Sequence, residues 1–234
     1  MRYIFSAQAE ACSTLGKICG ICFCSCYFRI TMMAQEKFYR RNLPHFVPND
    51  SVYFVTTRLT DSLPVAVVNQ LIRNHIELAE RGNGDPEVRR QLSKRYLVEL
   101  DKNLDACKSG PVWLGEPAIR EIVKTEILRL HQEEIIDLWC YSIMPNHVHL
   151  LFTLRSEELS RAMQFLKGRS SIAANRVLGR RGAFWQHESY DHVVRSNEFE
   201  RIVRYILLNP VKAGLVENWP DWPGNYLRPD LTML

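Results

Sequence analysis

The order of patterned segments predicts an α+β fold. It is a ferredoxin-like split β-α-β sandwich, an antiparallel sheet with helices on one face and a helical insertion after the first strand. Three observations predict it. Runs rich in β-branched and aromatic residues lie at Val52–Leu59, Ile135–Ile143, His147–Leu154 and Tyr190–Val194, and read as strands. Segments with helical periodicity separate the first strand from the second and the third from the fourth. Met144-Pro145-Asn146, between the middle two runs, leaves room only for a tight turn, so those two form a hairpin.

The first strand ends at Asp61–Pro64, after a basic, proline-punctuated approach at residues 40–50. Residues 64–108 read as helical, with Val68, Leu71, Ile72 and Ile76 as apolar positions and a turn at Gly82–Pro86. Pro117–Leu130 carries a stripe of Ile119, Ile122, Val123, Ile127 and Leu130. Glu157–Leu178 reads as a long helix, broken or bent near Gly168. Asn197–Asn209 is a final helix, with Asn197 and Glu200 spaced as a capping box and Pro210 as its stop. The Trp- and Pro-rich stretch from Trp219 to Pro229 reads as an irregular cover.

Composition bounds the class. The chain has 234 residues, is 46% hydrophobic and carries a formal net charge of +4, so it can bury a core and is mildly basic. No run of about 18 uncharged apolar residues exists, so no transmembrane helix is expected. Five cysteines (Cys12, Cys19, Cys22, Cys24 and Cys26) crowd the start without a second Cys/His cluster to close a zinc site. Lys17 interrupts what would otherwise be a signal-peptide core. The expectation is an unfolded extension over 1–31, a functional domain over 38–226, a tail over 227–234 and a cytoplasmic location.

Three features carry chemistry. In His147-Val148-His149, residues at i and i+2 of a strand share a face, so two imidazoles can converge on one metal ion. In the last helix, Phe199, Ile202, Val203, Ile206 and Leu207 define the buried stripe. Tyr205 lies well off that stripe, with Asn209 one turn on and Arg201 one turn back, so the core does not need it, and a half-buried surface tyrosine is the other reading of the position. Residues 161–185 hold Arg161, Lys167, Arg169, Arg176, Arg180 and Arg181 without an acid, and end in Phe184-Trp185, a pattern suited to nucleic acid.

Together these residues resemble a known family. Met144-Pro145-Asn146-His147-Val148-His149-Leu150-Leu151 is similar to the histidine–hydrophobe–histidine motif of the short single-tyrosine transposases. Phe184-Trp185-Gln186, Tyr190-Asp191-His192 and the run from Tyr205 to Gly214 resemble its REP-associated branch. The resemblance implies a nuclease domain, hairpin-forming single-stranded DNA as partner, and Mg2+ or Mn2+. It implies His147, His149 and Asn209 as metal ligands, and Tyr205 as the nucleophile that forms a 5′-phosphotyrosine. Lys167, Arg169, Arg176, Arg180, Arg181 and Arg201 are the candidate DNA contacts. The chain is expected to act as a monomer or homodimer.

Two other readings fit the residues. A metal-dependent hydrolase would add His187 and His192 as further ligands, and a missing carboxylate base near the histidine pair argues against it. A domesticated, non-catalytic single-strand binder would keep the fold alone.

Overall fold

The computed structural model describes residues 37–40, 44–47, 51–81, 85–106, 109–155 and 158–232. The cysteine-rich stretch 1–31 lies outside them.

The sheet is built from antiparallel pairs. Strands β3 (Val52–Arg58), β4 (Ile136–Ile143), β5 (His147–Leu154), β6 (Tyr190–Val194) and β7 (Asn225–Leu227) lie in the order β6-β3-β5-β4-β7. The first four strands in that row have the topology expected of the split β-α-β sandwich, and the fold class is α+β. The approach segment forms a two-stranded ribbon, β1 (Lys37–Arg40) against β2 (Pro44–Val47), where no strand was expected.

Between β3 and β4 come helices α1 (Val65–Arg81), α2 (Pro86–Asp105) and α3 (Pro117–Gln132). Helix α4 (Leu159–Val177) links β5 to β6. It runs without interruption through Gly168, which has nothing within 4 Å of an added Cβ, so that glycine marks no break or close approach. Helices α3 and α4 cover one face of the sheet, the two-helix layer that the pattern predicts. Ile119, Val123, Ile127, Leu159, Ala162 and Leu166 pack there on Tyr53, Val55, Val148, Leu150 and Phe152. A register shift in β4 between Leu138 and Cys140 lets Leu138 and Tyr141 both join this layer while Cys140 turns away.

The opposite face is covered as well, which the pattern did not predict. Phe54, Cys140 and Leu151 meet Tyr96, Leu97, Leu100 and Leu104 of α2 and Ile202, Val203, Ile206 and Leu207 of α5 (Phe199–Leu207). The last helix therefore starts two residues later than expected, and its cap differs. The Glu198 carboxylate accepts from the Arg195 backbone N–H at 3.3 Å, in place of the Asn197–Glu200 box. Pro210 does not end the helical path either: it opens a further turn, α6 (Asn209–Lys212). The tail is more ordered than an irregular cover. Gly224 lets the chain press on β4, where a Cβ would meet the Ile143 carbonyl at 2.4 Å, and the tail then adds β7 to the sheet edge.

Glu198 ties α2 to the start of α5. Its buried carboxylate accepts from Arg90 at 2.9 Å, from Lys94, and from Arg201 at 3.3 Å, and lies 3.2 Å from His192 Nε2. Burial alone would raise its pKa, but Lys94, the Arg195 N–H and His192 outweigh burial and hold it at about 2. A depressed carboxylate stabilises the fold above its unfolded pKa and stops doing so as pH falls through its folded one. Glu198→Gln is therefore expected to cost about 1–3 kcal/mol at neutral pH. Urea melts should show the variant losing less further stability than the parent between about pH 4.5 and pH 2.

Candidate active site

Strand β5 alternates across a sheet that is covered on both sides. Val148 and Leu150 enter the α3/α4 layer, so His147 and His149 point at α2 and α5, and both are fully buried. Neighbours fix each ring. His149 stands opposite Thr56 of β3, and its Nδ1 lies 2.8 Å from Thr56 Oγ1. His147 Nδ1 lies 2.7 Å from Asn146 Oδ1, and the Asn146 amide donates to the Leu104 carbonyl at 2.9 Å. Because Asn146 Oδ1 only accepts, neutral His147 carries its proton on Nδ1 and presents a lone pair at Nε2. A hydroxyl donates or accepts, so Thr56 lets His149 present the same lone pair.

The two Nε2 atoms lie 3.1 Å apart. Burial lowers His147 to about 3 and His149 well below its ordinary value, with His147 and Lys212 adding to the second, so both rings are neutral near pH 7. Two metal–ligand bonds of about 2.1 Å meeting near a right angle put their donor atoms roughly 3 Å apart. The spacing thus suits two ligands of one ion.

Helix α5 and its continuation supply the next groups. Asn209 Nδ2 lies 3.2 Å from His149 Nε2, and Asn209 Oδ1 is buried without a partner. The Tyr205 ring meets His149 edge-on at 5.7 Å between centroids and Phe54 at 6.0 Å. Its hydroxyl donates to Asp101 Oδ2. Lys212 sits over its ring, 4.8 Å from the centroid. Burial raises the Tyr205 phenol above its ordinary value, and the Asp101 carboxylate raises it further.

Two carboxylates from α2 complete the cluster, and sequence reasoning missed both. Asp101 Oδ2 lies 3.5 Å from His149 Nε2, and Asp105 Oδ1 lies 3.8 Å from His147 Nε2. Burial raises Asp101 well above the carboxylate range against the Tyr205 hydrogen bond, and raises Asp105 to about 6 against Lys212. Asp101, His147 and His149 bring their ligand atoms within 4.8 Å of one another. Asp101 Oδ1 and Asp105 Oδ1 are buried and unpartnered, as is Asn209 Oδ1. Buried orphan oxygens beside two neutral imidazoles fit a divalent cation, with His147, His149, Asn209, Asp101 and Asp105 as the available donors. The signal was the i, i+4 acid pair beside Leu97, Leu100 and Leu104, but nothing local ties that stretch to His147.

The structure brings His147, His149, Tyr205 and Asn209 together. It does not bring the basic segment to them. Lys167, Arg169, Arg176, Arg180 and Arg181 belong to α4 and the loop after it, and α4 packs on the other face of the sheet. Lys167 donates to the Gln186 and His187 carbonyls, Arg169 pairs with Glu133 at 2.8 Å, and Arg180 stacks on Trp113. Arg176 and Arg181 are exposed. Arg201 bonds Glu198 at the far end of α5 from Asn209. His187 is solvated beside Glu188, and His192 faces Glu198, so neither extends the histidine pair as the hydrolase reading required.

Residues 111–209 match the family model described as "Transposase IS200 like". This part of the chain is similar to that transposase family. The matched segment spans β4, β5 and α5, and so includes the histidine pair, Tyr205 and Asn209. The chain is also similar to the REP-associated tyrosine transposase of Escherichia coli (strain K12), at 24% identity over 114 residues covering 47% of this chain and 66% of that protein. It is 30% identical to a putative REP-associated tyrosine transposase of Haemophilus influenzae (strain ATCC 51907 / DSM 11121 / KW20 / Rd) over 101 residues, 38% of this chain and 57% of that one. The chain thus spans under two thirds of each curated relative. A solved REP-associated tyrosine transposase bound to a REP hairpin overlaps with a TM-score of 0.46 at 17% identity, over 80% of each chain. Asp101 and Asp105 fall before the matched segment.

Thr56→Val removes the hydroxyl that orients His149 and keeps the volume. It is expected to weaken Mn2+ binding by about 10- to 100-fold, as loss of an orienting partner does. Titration followed by electron paramagnetic resonance reads this directly. Unchanged affinity would show that the ring needs no such support.

Proposed function

We propose that the protein is a metal-dependent, single-strand DNA endonuclease and strand transferase, with Tyr205 as nucleophile. One observation carries the reading. The only tyrosine hydroxyl hydrogen-bonded into the histidine–carboxylate cluster, among the described residues, is that of Tyr205.

In this reading the Tyr205 oxygen bonds to phosphorus as the P–O3′ bond breaks, leaving a 5′-phosphotyrosine and a 3′ oxygen that takes a proton from water. The phenol needs help, because its ordinary pKa is about 10 and burial raises it here. Asp101 already accepts its hydrogen bond and is placed to receive the proton. Phe54 and His149 hold the ring edge-on, which limits the directions from which the oxygen can attack. A bound divalent cation would supply a Lewis acid for a non-bridging phosphate oxygen. His147, His149 and Asn209 would hold it. Two nitrogen donors favour Mn2+ over Mg2+ on intrinsic preference. The phosphotyrosine keeps the bond energy, so rejoining to another strand needs no nucleotide.

The substrate proposed is hairpin-forming single-stranded DNA, which the motif resemblance implies. Among the candidate contacts, Arg176 and Arg181 are the exposed cations free to meet phosphates on the α4 side. Among the described residues no helix is long and apolar enough to cross a membrane.

Tyr205→Phe is expected to bind hairpin DNA and form no covalent adduct, whereas Tyr190→Phe still forms it. His147→Ala should also form none. Denaturing gels of protein crosslinked to labelled DNA in Mn2+ check this, and an adduct with Tyr205→Phe overturns the assignment. Arg176→Glu with Arg181→Glu should weaken DNA binding and lower the slope of log affinity against log salt by about 1–2. An unchanged slope would remove these two from the interface.

A further inference from the structure

We infer that Asp101 and Asp105 are metal ligands, and that a divalent cation therefore clamps the α1–α2 helical hairpin onto the sheet. This rests on the metal-dependent reading above and extends it to a segment outside the matched transposase region.

The placement is the first support. Asp101 and Asp105 are one helical turn apart, so they leave α2 on the same side. Their carboxylates approach the histidines at 3.5 and 3.8 Å, one to each ring. Asp101 is 3% exposed and His147 and His149 are 0% exposed, so bulk water does not serve the Asp101 pairing, while the Asp105 side chain is half-buried.

The second support is what the carboxylates lack. Asp101 Oδ2 accepts from Tyr205, yet Asp101 Oδ1 has no partner, and neither has Asp105 Oδ1. Lys212 is the cation beside them, and it lies over the Tyr205 ring. One buried carboxylate, a second that is half-buried, and two neutral imidazoles form a donor-rich pocket in which Lys212 is the neighbouring cation. A divalent ion supplies two positive charges against two carboxylates, and occupies the space that the imidazole lone pairs share. Asp101 Oδ2, the oxygen nearest His149, is also the one that accepts from the nucleophile's hydroxyl, so Asp101 links the two.

The third support is how α2 is held. Its contacts with the core are the side chains of Tyr96, Leu97, Leu100 and Leu104, the Glu198 ion pairs near its start, and the Asn146 bond to the Leu104 carbonyl. At its C-terminal end the acids meet uncharged groups and Lys212. An ion held between α2 and β5 joins that end to the sheet through coordination bonds. Metal uptake and docking of the hairpin then reinforce each other, because whatever binds the docked form alone favours it by mass action.

The test uses the full chain with Mn2+ as the probe. Mn2+ affinity is measured by electron paramagnetic resonance. Amide hydrogen exchange over 86–105 is measured with and without Mn2+. The parent is compared with Asp101→Asn, Asp105→Asn and His149→Ala, each first shown to be folded without metal by its thermal melt. The expected result is that both Asn variants bind Mn2+ about tenfold or more weakly, as loss of a ligand requires. Mn2+ should slow exchange in the second half of α2 in the parent and not in the variants. If both Asn variants bind Mn2+ as the parent does while His149→Ala does not, the clamp is overturned and the histidine metal site stands. If Mn2+ binds the parent without slowing exchange in α2, the clamp is likewise overturned. If the parent takes up no Mn2+, the clamp and the metal reading fall together.

Discussion

Two buried imidazoles whose Nε2 atoms face each other at 3.1 Å set the terms for this half of the molecule. Burial keeps both neutral, so no charge repulsion drives them apart, and no strong bond joins them. The pairing of β3 with β5 holds that arrangement. Register places Thr56 against His149 and Arg58 against His147. A slip of one residue would turn both histidines into the α3/α4 layer and destroy the site and the core together. Stability of the sheet and integrity of the site are therefore one constraint.

The same constraint explains the second covered face. A sheet whose His147 and His149 sat beside water would leave them solvated, with pKa values near the ordinary range. Here helices α2 and α5 close over them, and burial follows for Asn209 and Asp101 as well. Removing water makes each orphan oxygen costly and each electrostatic contact stronger. That is the condition under which a bound ion gains most.

Much of this was legible in the chain. The four core strands, the turn at Met144-Pro145-Asn146 and the helix carrying Tyr205 follow from period and from turn residues, all local signals. Tyr205 lies off the apolar stripe, yet its half-buried ring packs against the second core cluster while its hydroxyl reaches Asp101. What was not legible is long-range. Asp101 and Tyr205 are 104 residues apart, and Asn146 reaches Leu104 across 42. No periodicity reports such pairs. The placement of the basic segment was not legible either. Its acid-free run was read along the chain, whereas in the fold Lys167 bonds carbonyls, Arg169 pairs with Glu133 and Arg180 lies over Trp113, on the face of the sheet away from the histidines. Likewise, β7 was hidden because three residues of strand carry little pattern, and Gly224 rather than propensity lets the tail approach.

The two polar anchors of α2 differ in sign of charge imbalance. At Arg90 and Lys94, one carboxylate, Glu198, is met by more cations than it can neutralise, and it is held at about 2. About two helical turns on, Asp101 and Asp105 have the opposite problem, and both are raised. A helix selected only to stay docked would gain by pairing each end with its complement, as the first anchor does. The second anchor instead sets its two carboxylates among a phenol, two neutral imidazoles and one cation, Lys212. That combination is a poor stabiliser and a good ligand set. The Glu198 end thus holds α2 in register, and Asp101 and Asp105 arrive at the histidines at 3.5 and 3.8 Å.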